Sequence, residues 1–203
     1  MKDAKEKSRE QFDRQAPCYD RAVFGSHARK LYPVLLEQLE GLPRRMVLDV
    51  GCGTGELLRQ IAGRWPEGEY RGVDLSGEMV AVARKKLGKR AEILQGDAEH
   101  LPLPDEWAQV VVCNDSFHHY PDPKAVLKEF RRVLRPGGVV LLGETTAPVL
   151  VRSVMNLVLP WSGGGDVRLY SSGELTALLS PVFCGVICRR VDATSLLAWG
   201  FKG

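Results

Sequence analysis

The stretch "VLDVGCGTGELL", residues 47–58, decides how the rest of the chain is read. A short β-branched, apolar run ends in Gly51, Gly53 and Gly55, and an apolar-faced helical pattern follows at once from Glu56. Strand, glycine turn and helix open a βαβ unit, and in a parallel sheet that turn lies at the crevice outside the carboxyl ends of the strands. Glycine there permits positive φ and a close approach of ligand to backbone. A dinucleotide fingerprint reads G-x-G-x-x-G, with the pyrophosphate on the helix N-terminus. Here the spacing is G-x-G-x-G, and Asp49 stands just ahead of the first glycine. A carboxylate at that point disfavours a pyrophosphate and suits a ligand with an ammonium and a sulfonium.

The alternation continues downstream. Strands are expected at Met46 to Val50, Glu69 to Asp74, Ala91 to Gln95, Val110 to Asn114 and Val139 to Gly143, with helices near 55–64, 77–88 and 123–134. "RPGG", residues 135–138, ends the third helix and turns into the next strand. At the C-terminus "VFCGVICRRV" and "TSLLAWGFKG" are separated only by Asp192 and Ala193. A parallel pair needs a crossover of a dozen residues or more, so these two are expected to be antiparallel. The sheet is then mixed: parallel strands with a hairpin at one edge.

Two segments stand outside this scaffold, both beside the carboxyl ends of the strands. Residues 1–45 read as a helical cap, and residues 145–172, with "APVLVRSVMNLVLPW" and "SGGGD", as a lid or substrate segment. Residues 46–144 make the cofactor-binding core, and 173–203 a C-terminal helix and β-hairpin. At 203 residues the chain is expected to form one domain.

The net charge of +3 is spread along the chain without a basic stripe, which argues against nucleic acid. Lys5, Lys7, Arg9 and Arg14 alternate with Glu6, Glu10 and Asp13, as on a solvated helix face. No apolar run is long enough to span a bilayer, and the charged N-terminus is unlike a signal peptide, so a cytoplasmic protein is expected. The five cysteines are odd in number and scattered, which fits reduced, small apolar residues better than disulfides.

Asp74 closes the second strand, where an acidic side chain can accept bonds from ribose hydroxyls. Asp97, in "GDAEHLPLP", follows the third strand, where it could receive an adenine amino hydrogen. Each aspartate alone would be read as a cap or turn residue; two at strand ends beside the glycine loop favour ligand binding. "NDSFHHYPDP", residues 114–123, follows the fourth strand. His118 and His119 are the candidate general bases, because an imidazole titrates near neutral pH. Adjacent residues point to opposite sides of an extended segment, or about 100° apart on a helix. Both are therefore not expected to face one ligand, and no metal site is expected. Either the pair lines the loop structurally or one imidazole touches the substrate. Asp122, between Pro121 and Pro123, is expected to cap the next helix.

These motifs, together with "FDRQAPCYD", "GVDLSGEMV", "VLRPGGVV" and "LYSSGELTALL", resemble a class I S-adenosylmethionine-dependent methyltransferase. The resemblance is to the small-molecule subgroup that includes the ubiquinone/menaquinone and biotin-pathway enzymes, and it runs from about Phe12 to the C-terminus. It implies a three-layer, doubly wound, Rossmann-like α/β fold with a seven-stranded mixed sheet whose last strand is antiparallel. It also implies methyl transfer from S-adenosylmethionine, with S-adenosylhomocysteine as product, to a small-molecule acceptor by a monomer or homodimer. Gly51, Gly53 and Gly55 would line the methionine and ribose portion with Asp49 supporting the loop, and Asp74 would hold the ribose. Leu75 and Met79 would pack on the adenine, Asp97 and the Ala98 backbone would fix its edge, Asn114 would lie beside the methionine, and Tyr19 would close over the cofactor. Trp107, Ala108 and Gln109 depart from the family's Phe-Asp before the fourth strand, read as a packing change. Val151, Met155, Leu159 and Trp161 hint at an apolar acceptor, or they close the core. A non-catalytic cofactor-binding subunit would carry the same motifs, and an NAD(P)-dependent oxidoreductase is disfavoured by the glycine spacing, Asp49 and the terminal hairpin.

Overall fold

The computed structural model describes residues 4–159 and 165–203. Its seven strands are β1 Met46–Val50, β2 Glu69–Asp74, β3 Glu92–Gln95, β4 Ala108–Asn114, β5 Leu134–Thr145, β6 Cys184–Asp192 and β7 Ser195–Phe201. They form one sheet in the order β3-β2-β1-β4-β5-β7-β6. The first five strands are mutually parallel, and β7 runs antiparallel between β5 and β6. The terminal hairpin is therefore antiparallel as its two-residue connection requires, and it inserts its second strand next to β5.

Helices cover both faces. α1 is Ala4–Gln15, α2 Ser26–Glu40, α3 Glu56–Arg64, α4 Gly77–Leu87, α5 Pro123–Val133, α6 Val149–Val158 and α7 Ser172–Leu179. One core packs Leu31, Leu35, Leu58, Ile61 and Ala83 of α2, α3 and α4 on the sheet, and the other packs Leu127, Phe130 and Leu175 of α5 and α7 on its opposite face. Central strands buried on both sides must be apolar throughout, which is why Val110, Val111, Val112 and Cys113 are all fully buried.

Helix starts are fixed by side chains. The Ser76 hydroxyl accepts the Met79 amide at 3.1 Å, and Asp122 accepts those of Lys124 and Ala125 at 3.1 and 3.0 Å, the expected cap of α5. Ser171 and Glu174 form a reciprocal capping box on α7.

Some expectations change. β4 and β5 begin at Ala108 and Leu134, which pair with each other across an irregularity before Val110 meets Val139. The Trp107 ring lies under the Arg71 guanidinium at 4.4 Å, and Gln109 Oε1 accepts the amides of Arg45 and Met46 at 2.9 and 3.2 Å. That departure from the family pattern thus serves the packing around β1. α1 is not a solvated face: Ser8 is buried, and Lys5, Ser8, Arg9 and Phe12 turn towards the crevice. All five cysteines are free, but Cys18 and Cys184 are exposed rather than buried. Among the described residues no helix is long and apolar enough to cross a membrane.

Strand order reverses between β1 and β4, which places the crevice of a doubly wound sheet at their carboxyl ends.

Candidate active site

That crevice is a cleft of two lobes. The first, of about 540 Å³, is lined by Leu75, Gly96, Asp97, Ala98, His119 and Tyr120, and roofed by Lys5, Ser8 and Arg9 of α1. The second, of about 510 Å³, is lined by Tyr19, Tyr32, Asp49, Met79, Asn114 and Asp115. Phe12, Gly51, Asp74 and Ser116 border both and form the waist. Gly51 has φ 72°, and a Cβ there would lie 2.0 Å from Ser116 Oγ and 2.9 Å from the Tyr120 hydroxyl. Only glycine keeps the waist open.

The glycine loop spends its own amides. Gly51 and Cys52 N–H donate to Val73 O at 2.8 and 3.1 Å, and Gly55 N–H to Cys52 O at 2.9 Å. Gly53 N–H donates to Asp74 Oδ2 at 2.8 Å, while Asp74 Oδ1 accepts the Ser76 amide at 2.9 Å. These donors are not free to cradle a phosphate, so a pyrophosphate has no nest here.

The loop is instead acidic. Burial, then repulsion by Asp74, pushes the Asp49 carboxyl up to about 7. Burial raises Asp74 to about 6 against the pull of the Ser76 and Gly53 amides. Burial and nearby carboxylates also push the phenols of Tyr19 and Tyr32 upward, so both remain neutral donors. Among the described residues no lysine or arginine lines the second lobe.

The histidines do not diverge. Phe117–His119 is one turn of 3-10 helix, and the two rings lie 4.1 Å apart at 40°. The turn is bent inward by Glu144, fully buried, which accepts the Ser116 and Phe117 amides at 3.0 and 2.6 Å and pairs with His118 Nδ1 at 2.8 Å. Asp166 Oδ1 lies 3.7 Å from His118 Nε2 and 3.1 Å from His119 Nδ1. The last approach is misaligned, so Nδ1 of His119 has no hydrogen-bond partner. Burial works against a charge on His118, but Glu144, and beyond it Asp115 and Asp166, raise it to about 9. His119 goes the other way, lowered by burial and by the charge on His118. His118 is thus a held imidazolium that lines neither lobe, and His119 a neutral ring in the first lobe, against the edge of Phe12 at 5.0 Å.

A family model for a methyltransferase domain matches residues 48–142. The chain is 37% identical over 154 residues to a demethylmenaquinone methyltransferase of Chlorobaculum tepidum, covering 69% of this chain and 60% of that one. It is 33% identical over 166 residues to a demethylmenaquinone methyltransferase of Thermus thermophilus, covering 75% of each. The chain belongs to the class I S-adenosylmethionine-dependent methyltransferases. A solved S-adenosylmethionine-dependent methyltransferase of Thermotoga maritima shares the fold, with a TM-score of 0.74 and 22% identity over 97% of this chain and all of that one. The chain spans about 60% of the length of the Chlorobaculum relative.

S-adenosylmethionine has a cationic methionine end and an adenosine end. The methyltransferase cleft fits both. Asn114 borders the second lobe beside Asp49, its Nδ2 donating to Ala28 O at 3.1 Å and its Oδ1 buried without a partner on the side of Gly143 in β5. Tyr19, Asp49, Gly51, Gly53 and Asn114 surround the second lobe, and Leu75, Asp97 and Ala98 the first, with Asp74 between. Two expected positions differ. Gly55 lines neither lobe; at φ 73° it leads into α3, and a Cβ there would meet Leu87 and Ala83 of α4 at 2.7 and 3.1 Å. Met79 lines the second lobe rather than joining Leu75 in the first. Asp97 is already engaged: Lys5 Nζ reaches it at 2.7 Å and Glu99 at 2.6 Å.

Several residues were not foreseen. Glu144 and Asp166 organise the histidines, and Lys5 closes the first lobe. Asp13 accepts the Ser76 hydroxyl at 2.6 Å, and Asp20 accepts that of Thr54 at 2.5 Å and pairs with Lys86 at 2.7 Å, so α1 and the turn after it are tied across the cleft. His27 pairs with Asp115 at 2.8 Å. The motif "FDRQAPCYD" marked the end of α1, but its first turns carried only a charge alternation that reads equally as a surface.

Proposed function

We propose that this methyltransferase moves the methyl group of S-adenosylmethionine to a small aromatic acceptor of the reduced demethylmenaquinone class. The observation that supports the cofactor reading best is the buried pair of carboxylates Asp49 and Asp74, which border a lobe without a lysine or arginine among its described lining residues. Such a site holds a cation. Adenosine would lie in the first lobe against Leu75 and Ala98, with Asp74 at the ribose and Asp97 at the adenine edge. The methionine end would lie in the second lobe against Asp49 and Asn114, under Tyr19.

When bound, S-adenosylmethionine supplies an activated methyl group. The protein's part is to align a nucleophile with it and exclude water. Phe12 and Tyr19, in edge contact at 6.1 Å, cover the waist and second lobe for that purpose. His118 holds its proton at neutral pH and so serves as a fixed charge, not a base. His119 faces the first lobe, so its place is beside the adenosine.

The acceptor class follows from the relatives' names and from α6, where Val149, Leu150, Val151, Val154, Leu157 and Val158 are exposed. Such a face suits an acceptor with an apolar tail. Trp161, expected to join it, lies outside the described residues. The test is incubation of isotopically labelled S-adenosylmethionine with a reduced, short-chain demethylmenaquinone, followed by mass spectrometry of the quinone fraction. Label in the ring is expected. Tight cofactor binding with no label in this or any other acceptor would favour the non-catalytic subunit.

A further inference from the structure

Asp115 is the first residue beyond β4, and it stands in the left-handed region with φ 52°. Non-glycine residues persist there only where the surroundings enforce it, and such sites cluster at functional positions. The enforcement is visible. The Asp115 amide donates to Gly143 O at 2.6 Å, and Oδ1 meets His27 Nδ1 at 2.8 Å. The other ring nitrogen of His27 lies 3.1 Å from Thr194 O and 3.1 Å from Ser195 Oγ.

A carboxylate can only accept, so Nδ1 of His27 donates to Asp115, while Nε2 either accepts from the Ser195 hydroxyl or donates to Thr194 O, the second arrangement making the ring an imidazolium. Burial opposes that charge, but Asp115, the Thr194 carbonyl and Glu144 overcome it and raise the histidine. Three elements thus converge on one carboxylate: the end of β4, the first turn of α2 and the β6–β7 hairpin. Asp115 Oδ2 forms no hydrogen bond among the described residues, and the side chain lines the second lobe next to Asn114. Asp49 already accounts for the cationic end of the cofactor and Asp74 for its ribose, so Asp115 is a carboxylate in excess of what cofactor binding needs.

We propose that Asp115 is the catalytic carboxylate on the acceptor side, orienting the methyl acceptor and taking its proton, and that His27 is its positioning residue. This rests on the methyl-transfer reading above. The acceptor X–H gives its proton to Asp115 Oδ2, the X–H electron pair becomes the X–C bond to the methyl carbon, and the C–S pair stays on sulfur as the neutral thioether. The proton then leaves Asp115 for solvent and carries off the positive charge of the sulfonium. Asp49, Asp74 and Asp115 would repel a phosphate or carboxylate acceptor, so the fitting class bears a removable proton on a hydroxyl, amine or activated carbon.

The test compares two probes by calorimetry: S-adenosylhomocysteine, and sinefungin, which carries a primary ammonium where the sulfonium methyl stands. Asp115→Asn should weaken sinefungin roughly tenfold, the effect of losing one charge-assisted hydrogen bond, and leave S-adenosylhomocysteine within about twofold. His27→Gln, made from α2, repeats the comparison with a smaller loss should Asp115→Asn fail to fold. It should also lower kcat for the reduced demethylmenaquinone while KM stays put. Equal losses for both probes, or none for either, overturn the proposal. A wild-type protein that binds neither probe shows instead that the underlying reading is wrong, and this inference falls with it.

Discussion

Asp49→Asn should stabilise the free protein and weaken its ligand at the same time. The Asp49 side chain is 2% exposed, and burial, then Asp74, pushes its carboxyl from 3.8 up to about 7. A rise of about three units is on the order of 4 kcal/mol against the ionised form. The folded state holds this proton more tightly than the unfolded state, so stability falls as pH rises from about 4 to about 7, and the penalty is constant above that. Asparagine removes the charge but buries an amide, which costs about 2 kcal/mol of the gain. A net gain of roughly 2 kcal/mol, or about 4–8 °C in Tm for a chain of this size, is expected above pH 7, and a net loss of about 2 kcal/mol near pH 4, where only the cost of the buried amide remains. On the proposed placement of the methionine ammonium beside Asp49, the same substitution removes its acceptor, so S-adenosylmethionine should bind about tenfold more weakly. Thermal melts of the free protein at pH 4.5 and 8, with calorimetric affinities at pH 8, measure both. A lower Tm at pH 8 with unchanged affinity would refute the reasoning.

Gly51→Ala puts a methyl 2.0 Å from Ser116 Oγ at a positive φ; a loss of about 1–3 kcal/mol and of cofactor binding is expected, read by melting and calorimetry. Glu144→Gln breaks a buried pair that holds His118, raised to about 9, among Asp115, Asp166 and the neutral His119. Because a raised histidine stabilises fully below about 6.5 and loses that contribution as pH rises through about 9, the variant should fall short of wild type by about 3 kcal/mol at pH 6 and by less at pH 9.5, as denaturant titrations would show. Lys5→Met removes the link from α1 to Asp97 and Glu99; its 28% exposed side chain limits the stability loss to under about 1 kcal/mol, while cofactor dissociation in stopped flow should speed up severalfold. Asp74→Ala should weaken the cofactor sharply with the fold intact by circular dichroism.

What was legible in the sequence is what is local. The glycine turn, the antiparallel terminal hairpin and the Asp122 cap each follow from a few consecutive residues whose backbone preferences agree. Asp74 and Asp97 were legible because strand ends in a parallel sheet share one edge. What was not legible depends on long-range pairing. Lys5 meets Asp97, His27 meets Asp115, and Glu144 meets His118, and no local pattern announces such partners. Only His119 lines a lobe, in keeping with the expectation that both would not face one ligand, but the rings do not diverge: a 3-10 turn bent around Glu144 brings both to Asp166. Gly55 failed differently. Its glycine is needed, but for the entry to α3 and for contact with α4, not for the ligand.

The central claim is that the cleft binds a cationic cofactor against Asp49 and Asp74. Titration of S-adenosylmethionine into the wild-type protein at pH 7, in two buffers of different ionisation enthalpy, tests it most directly. The cation should drive a proton from Asp49, so one-to-one binding with net proton release is expected, and the release should shrink at pH 8.5, where Asp49 is already ionised. Binding at pH 7 without proton release, or no binding at all, would contradict the account.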